Sequence, residues 1–126
     1  MKQKKAFTLI ELVVVVAIIA VLSVVGVVSF SSMNTKSRDA RRVQDLQKIA
    51  AALEIFRQSD VGRSYPMTTA SLRPNYLQIV PKDPKTKVDY AYNRTTPYRY
   101  TLTATLENAQ NNPDNPSSLT YTLNSP

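Results

Sequence analysis

Hydrophobic positions follow three different rhythms along this chain. From Phe7 to Phe30, nineteen of twenty-four residues are apolar and no polar stripe interrupts them. That pattern predicts a helix surrounded by apolar material on every side. At 1.5 Å per residue it measures about 36 Å, enough to cross a hydrocarbon layer of about 30 Å. A cleavable secretory signal would have a shorter apolar stretch followed by a small-x-small site, and neither feature is present. From Asp39 onward the rhythm changes. Val43, Leu46, Ile49, Ala50, Leu53 and Phe56 recur at steps of three and four, which makes one apolar stripe on a helix. Arg38, Arg41, Arg42, Asp45, Lys48, Glu54 and Arg57 fall mostly on its other faces, with Arg41–Asp45 and Glu54–Arg57 spaced for salt bridges. No proline precedes Pro66, and Gly26 is the one glycine before Gly62. The two stretches therefore read as a single helix from about Phe7 to about Asp60, about 80 Å long and weakest near Ser29–Ser37. Gly62 and Pro66 are its stop signals.

The third rhythm has period two. After a proline-punctuated connection over Tyr65–Thr86, with a short helix expected around Thr69–Tyr76, Val88, Tyr90 and Tyr92 alternate with polar or small residues. Tyr98, Tyr100, Leu102, Ala104 and Leu106 alternate strictly with Arg99 and three threonines, and Leu119, Tyr121 and Leu123 repeat the pattern. These are half-buried strands. Asn93–Pro97 is expected to turn the first hairpin, and Glu107–Ser118, rich in Asn, Pro and Ser, to form a longer loop. A three-stranded antiparallel sheet has one apolar face to cover, and the stripe on the second half of the helix is the natural cover. The predicted fold class is α+β, a long N-terminal helix packed on a three-stranded antiparallel sheet. The expected divisions are 1–6, 7–30 (membrane-spanning), 31–62 (amphipathic) and 63–126 (proline-rich connection and sheet).

Composition narrows the chemistry. There is no Cys and no His, which excludes disulfides, thiol nucleophiles, Cys/His zinc sites and His-based triads. No nucleophile–base pair or metal cluster is evident, so an enzyme is not expected, and no cofactor is. The net charge of +7 is spread along the chain with acids interleaved among the bases, as on a solvated, mildly basic surface. Lys2, Lys4 and Lys5 flank one end of the apolar stretch and Lys36, Arg38, Arg41 and Arg42 the other, so the positive-inside rule gives no orientation.

One acid lies inside the apolar run. A carboxylate in a hydrophobic span costs a few kcal/mol and is usually paired or functional, and no basic residue occurs between Lys5 and Lys36. The plain reading is that Glu11 sits at head-group depth and is solvated there.

The sequence Lys4-Lys5-Ala6-Phe7-Thr8-Leu9-Ile10-Glu11-Leu12 resembles the processing site and N-terminal helix of type IV pilins and the pseudopilins of type II secretion. The resemblance implies a type IV pilin-like fold and cleavage between Ala6 and Phe7 by a membrane-embedded prepilin peptidase. It further implies N-methylation of Phe7, a cytoplasmic N-terminus with the C-terminal domain outside, and an assembly role for Phe7 and Glu11: the amine freed at Phe7 could meet Glu11 on its own helix or, as the family favours, on a neighbouring subunit. The family usually has Gly where Ala6 stands. Many major pilins have a helix-kinking Pro where Val28 stands, which leans toward a pseudopilin-like subgroup. Tyr76–Pro84, with its Pro81-Lys82-Asp83-Pro84 core, resembles a segment of G-type major pseudopilins, although Lys85 and Thr86 replace the usual aromatic and glycine. Its physical reading is a rigid turn in which Asp83 accepts local backbone hydrogen bonds.

The resemblance implies a structural subunit of a pilus-like filament. It begins as a single-pass protein of the cytoplasmic membrane, in contact with inner-membrane lipid, and ends as a filament on the cell surface. Its partners would be copies of itself, the peptidase, the membrane assembly platform and minor pilins. The alternative is a pseudopilin of a type II secretion system, and after it a simple anchored binding module. Two weaker readings stand beside these. Glu107 and Asp114, in a loop that can hold calcium in the pseudopilin group, are candidate ligands for that ion, with a plain loop favoured. The tyrosines, with Arg94 and Arg99, form a candidate DNA-stacking surface, with sheet core and edge favoured.

Overall fold

The computed structural model describes residues 7–126, with the side chains of 25–29 excepted. Helix α1 spans Leu9–Ser59 and is unbroken through the Ser29–Ser37 stretch expected to be weakest. Strands β1 (Ala91–Thr96), β2 (Arg99–Thr105) and β3 (Thr120–Asn124) form an antiparallel sheet in the order β1-β2-β3. The fold is the expected α+β, pilin-like one. The chain divides into two compact units, Met1–Asn34 and Thr35–Pro126.

In the first unit the described apolar side chains are exposed. They run from Leu9 to Val24, interrupted by Glu11 and Ser23. Among the described residues no helix is long and apolar enough to cross a membrane. The expected span 7–30 includes side chains outside that description.

In the second unit, Leu46, Ile49 and Leu53 of α1 lie fully buried against Tyr100, Leu102 and Tyr121 of the sheet. Each buried leucine contributes about 1.5–3 kcal/mol through removal of apolar surface from water. Register puts Tyr92 opposite Leu102 and Ala104 opposite Tyr121 on the inner face, as period two requires. Tyr65 locks the connection onto this core. Its ring meets Tyr100 edge-on at 4.7 Å, and its N–H donates to the Pro97 carbonyl at 2.8 Å. Its hydroxyl donates to Glu54 at 2.6 Å and accepts from Arg57 at 3.0 Å.

Several boundaries differ from expectation. The chain leaves α1 through Arg63, in the left-handed region at φ 48°, and not through Gly62. Asp60 fixes that turn by accepting the Ser64 N–H at 3.0 Å and hydroxyl at 2.9 Å. The short helix is a 3-10 turn over Thr69–Leu72. Pro74 forces Arg73 into extended backbone, so it stops there instead of reaching Tyr76. β1 starts at Ala91, three residues later than the alternation suggested, because Asp83–Lys87 coils into a turn with Lys87 at φ 61°. The hairpin turn is also tighter than Asn93–Pro97. β1 continues to Thr96 with a register shift after Arg94, and Thr96 pairs with Arg99 across a turn at Pro97 and Tyr98.

Candidate functional site

At the start of α1, Phe7 is 82% exposed and lies outside the helix, as does Thr8. The Thr8 carbonyl accepts the Leu12 N–H at 3.3 Å, which makes Thr8 the cap residue. Its N–H and hydroxyl both donate to Glu11 Oε2, at 2.9 and 2.8 Å, while the Glu11 N–H donates back to the Thr8 hydroxyl at 3.4 Å. This is a reciprocal capping box, which satisfies backbone donors that a helix N-terminus leaves orphaned. Glu11 is therefore already partnered before any cleavage, and by Thr8. In the uncut chain the Phe7 nitrogen is a peptide amide and cannot be the cation expected for it. The signal was present as Thr-x-x-Glu ahead of an apolar run. Farther along, the Ser23 hydroxyl donates to the Ile19 carbonyl at 2.7 Å and so makes no polar demand on its surroundings. Lys2, Lys4, Lys5 and Ala6 lie outside the described residues.

The second constellation was not expected. Arg42 and Asp45, placed by the sequence mostly on faces away from the apolar stripe, are buried together with Asp39, with Arg42 2% exposed and Asp39 0%. Arg42 is a hub. Its guanidinium holds Asp83 with two nitrogens, Nε at 2.6 Å and Nη2 at 3.2 Å, and Nη1 donates to Asp39 at 2.7 Å and Glu107 at 2.9 Å. Arg38 grips Glu107 in the same two-pronged way, at 2.7 and 2.8 Å, and Lys85 adds a contact at 3.1 Å. Asp39 accepts the backbone N–H groups of Glu107 and Asn108 and the Asn111 amide. Asp83 accepts the N–H groups of Lys85 and Thr86, both at 2.8 Å, which is the rigid turn expected of Pro81–Pro84. Three cations and three acids thus pin α1 to two loops. Among the described residues every buried side-chain nitrogen and oxygen has a hydrogen-bond partner, the condition under which buried charge is tolerated. The Arg41–Asp45 pair does not form. Asp45 turns inward to accept the Tyr90 hydroxyl at 3.0 Å, while Glu54–Arg57 does form, at 3.7 Å.

These contacts set the proton affinities. Arg42 holds the Asp83 carboxyl well below the usual carboxylate range, and Arg38 does the same to Glu107. Burial by itself would raise Asp39; the hydrogen bonds from Asn111, Glu107, Arg42 and Asn108 outweigh it and lower its affinity. All three bind protons less readily folded than unfolded. Their stabilisation is complete above the unfolded carboxylate value of about 4 and is lost as pH falls toward the depressed folded values. Urea midpoints of the full chain in detergent should be level between about pH 5 and 8 and fall below about pH 4. Asp83→Asn should reduce that acid slope, and an unchanged slope would refute the assignment.

The calcium candidates are not brought together as a ligand set. Both Glu107 oxygens face cations, and Asp114 is exposed in a loop organised by Asn112, whose Oδ1 accepts the N–H groups of Asp114 and Asn115. Among the described residues no group of three acidic or metal-binding side chains could hold a metal ion. Of the tyrosines, Tyr65, Tyr90, Tyr100 and Tyr121 are buried in the core, so they are not a stacking platform, and Tyr98 alone is largely exposed.

Residues 1–27 match the family model described as the prokaryotic N-terminal methylation motif. No curated protein matches the chain, and no solved structure does. The motif supports a type IV pilin- or pseudopilin-like precursor, processed by a prepilin peptidase.

Proposed function

We propose that this pilin-like precursor is a structural subunit, not a catalyst. It is cut between Ala6 and Phe7 and methylated on the new Phe7 amine, and it then polymerises with copies of itself into a type IV pilus-like filament. Before assembly it is held in the cytoplasmic membrane by residues 7–30, N-terminus inward. Afterwards that surface packs against its copies, with minor pilins and a membrane platform as further partners. The observation that carries this reading is the methylation motif running into a capped helix whose apolar side chains from Leu9 to Val24 are all exposed. Such a surface is costly in water and gains by burial in lipid or against copies of itself. Helices can make that exchange because they satisfy their own backbone groups. A head-to-tail contact that does not close yields an open polymer.

A second reading, a pseudopilin of a type II secretion system, is supported by the Pro81–Pro84 turn and by Val28 where many major pilins have proline. Mass spectrometry of the protein from native envelopes tests what the two share. The expected species begins at a methylated Phe7, whereas an intact Met1 favours an anchored module and overturns both. Electron microscopy of appendages from a deletion strain, with secretion assayed in parallel, separates one from the other.

A further inference from the structure

The two outer strands of the sheet are guarded differently. β1 carries Arg94, a bulge after it and then Pro97, features that keep a free edge from recruiting another strand. β3 has none of these. Two hydrogen bonds fix which way its backbone points. Leu106 N–H donates to the Leu119 carbonyl at 2.7 Å, and Ser125 N–H to the Tyr100 carbonyl at 3.1 Å. Both lie in the register that pairs Leu102 with Leu123 and Ala104 with Tyr121. Backbone groups alternate sides along an antiparallel strand. Tyr121 and Leu123 therefore face β2, while Thr120, Thr122 and Asn124 face away from it. Thr120 is occupied by its own loop: its N–H donates to the Ser118 hydroxyl, and its carbonyl accepts from that hydroxyl and from the Asn112 amide. Among the described residues nothing pairs with the backbone N–H and C=O of Thr122 and Asn124. The open stretch is also neutral. No charged residue follows Asp114 in a chain of net charge +7, so a second copy can approach here without setting like charges face to face. Beside it Leu119 is 48% exposed and Leu123 half-buried.

We infer that β3 pairs with β3 of a second copy, antiparallel and centred on Leu123. Thr122 then stands opposite Asn124 of the second copy, and each such pair exchanges two backbone hydrogen bonds. These bonds use every free group that Thr122 and Asn124 offer and leave Thr120 to its loop. The two Leu123 side chains meet as a non-hydrogen-bonded pair, with Cα atoms about 4.5 Å apart, and cover each other. Neighbouring centres do worse. A centre at Thr122 sets Asn124 against Thr120, whose groups Ser118 and Asn112 already hold. A centre at Asn124 sets Thr122 against Pro126, which has no N–H to give. The two-fold axis is normal to the sheet and reverses every strand, so it joins copies that face opposite ways. Copies packed head to tail in one fibre point the same way. The β3 contact is therefore distinct from the one that would build a fibre, and it does not depend on the filament reading.

The test is oxidative cross-linking of the full chain in detergent micelles, which has no native cysteine to interfere. Leu123→Cys should form a covalent dimer, since its pair lies within disulfide reach. Thr122→Cys or Asn124→Cys alone should cross-link at least about tenfold more slowly, because like positions then sit on diagonals about 7–8 Å apart. An equal mixture of those two variants should cross-link readily, and it tests the register without touching Leu123. Adding Thr122→Lys and Asn124→Lys to Leu123→Cys sets like charges opposite each other and should slow its cross-linking several-fold. Thr122→Lys with Asn124→Glu sets opposite charges there and should restore the rate. Circular dichroism checks that each variant keeps the native fold. Equal rates at all three single positions, as random collision would give, overturn the proposal. So does the absence of a dimer from both Leu123→Cys and the mixture.

Discussion

Arg42→Met lowers the stability of the second unit by about 3–5 kcal/mol, because it leaves a buried ionic cluster without its central cation. The methionine keeps the apolar stem but abandons Asp39 in full burial and removes both prongs from Asp83. Domains of this size have only about 5–15 kcal/mol in total, so the variant should sit close to unfolding in mild denaturant. Arg42→Lys should recover part of the loss, since it restores the charge without the planar fork. Combining Arg42→Met with Asp83→Asn should recover part as well, because it removes one of the stranded acids. Urea denaturation of the full-length protein in detergent, followed by circular dichroism, measures all three. A loss under about 1 kcal/mol for Arg42→Met would place the cluster in the class of surface ion pairs.

Glu11→Val should enter the membrane at least as well as the parent chain, since it relieves the few kcal/mol that a carboxylate costs there. It should nevertheless incorporate poorly into filaments. One lost contact worth about 1.4 kcal/mol shifts an assembly equilibrium about tenfold, and a polymer repeats that loss at every subunit. Glu11 makes two separable contributions. Its oxygen closes the capping box with Thr8, and in the proposed assembly its charge meets the amine exposed on a neighbour. Glu11→Gln separates them, because glutamine can also close a capping box but carries no charge. Filament yield from Glu11→Gln should follow Glu11→Val if the charge sets the register between subunits. A normal yield from a strain carrying only Glu11→Val would remove the assembly role altogether.

What the sequence made legible was whatever a single rhythm could express. Leu46, Ile49 and Leu53 were readable as the buried stripe, and Tyr100, Leu102 and Ala104 as the inner face of a strand, because burial repeats at 3.6 or 2.0 residues whatever the partner. The Arg42 hub shares that helical rhythm, since positions 39, 42, 46, 49 and 53 are spaced by three and four. It was hidden because charge at such positions ordinarily means solvent, and two of its three neutralising acids, Asp83 and Glu107, lie 41 and 65 residues away along the chain. Tyr90 shows the reverse limit. Its side chain is buried and reaches Asp45, as the alternation implied, yet its backbone lies outside β1 because the Asp83–Lys87 turn delivers the chain to the sheet only at Ala91. The capping box was written in adjacent residues and was obscured by the acid's more conspicuous role as a lone charge among aliphatic neighbours.

The capping box has one more consequence. By making Thr8 the last residue before the helix, it stops the spiral from winding upstream across Phe7. On the proposed reading the cut precedes Phe7, which lies two residues before the first helical residue, Leu9, so it should leave the Thr8–Glu11 clasp intact. Maturation as proposed would then trim the chain without loosening the first turn of the rod.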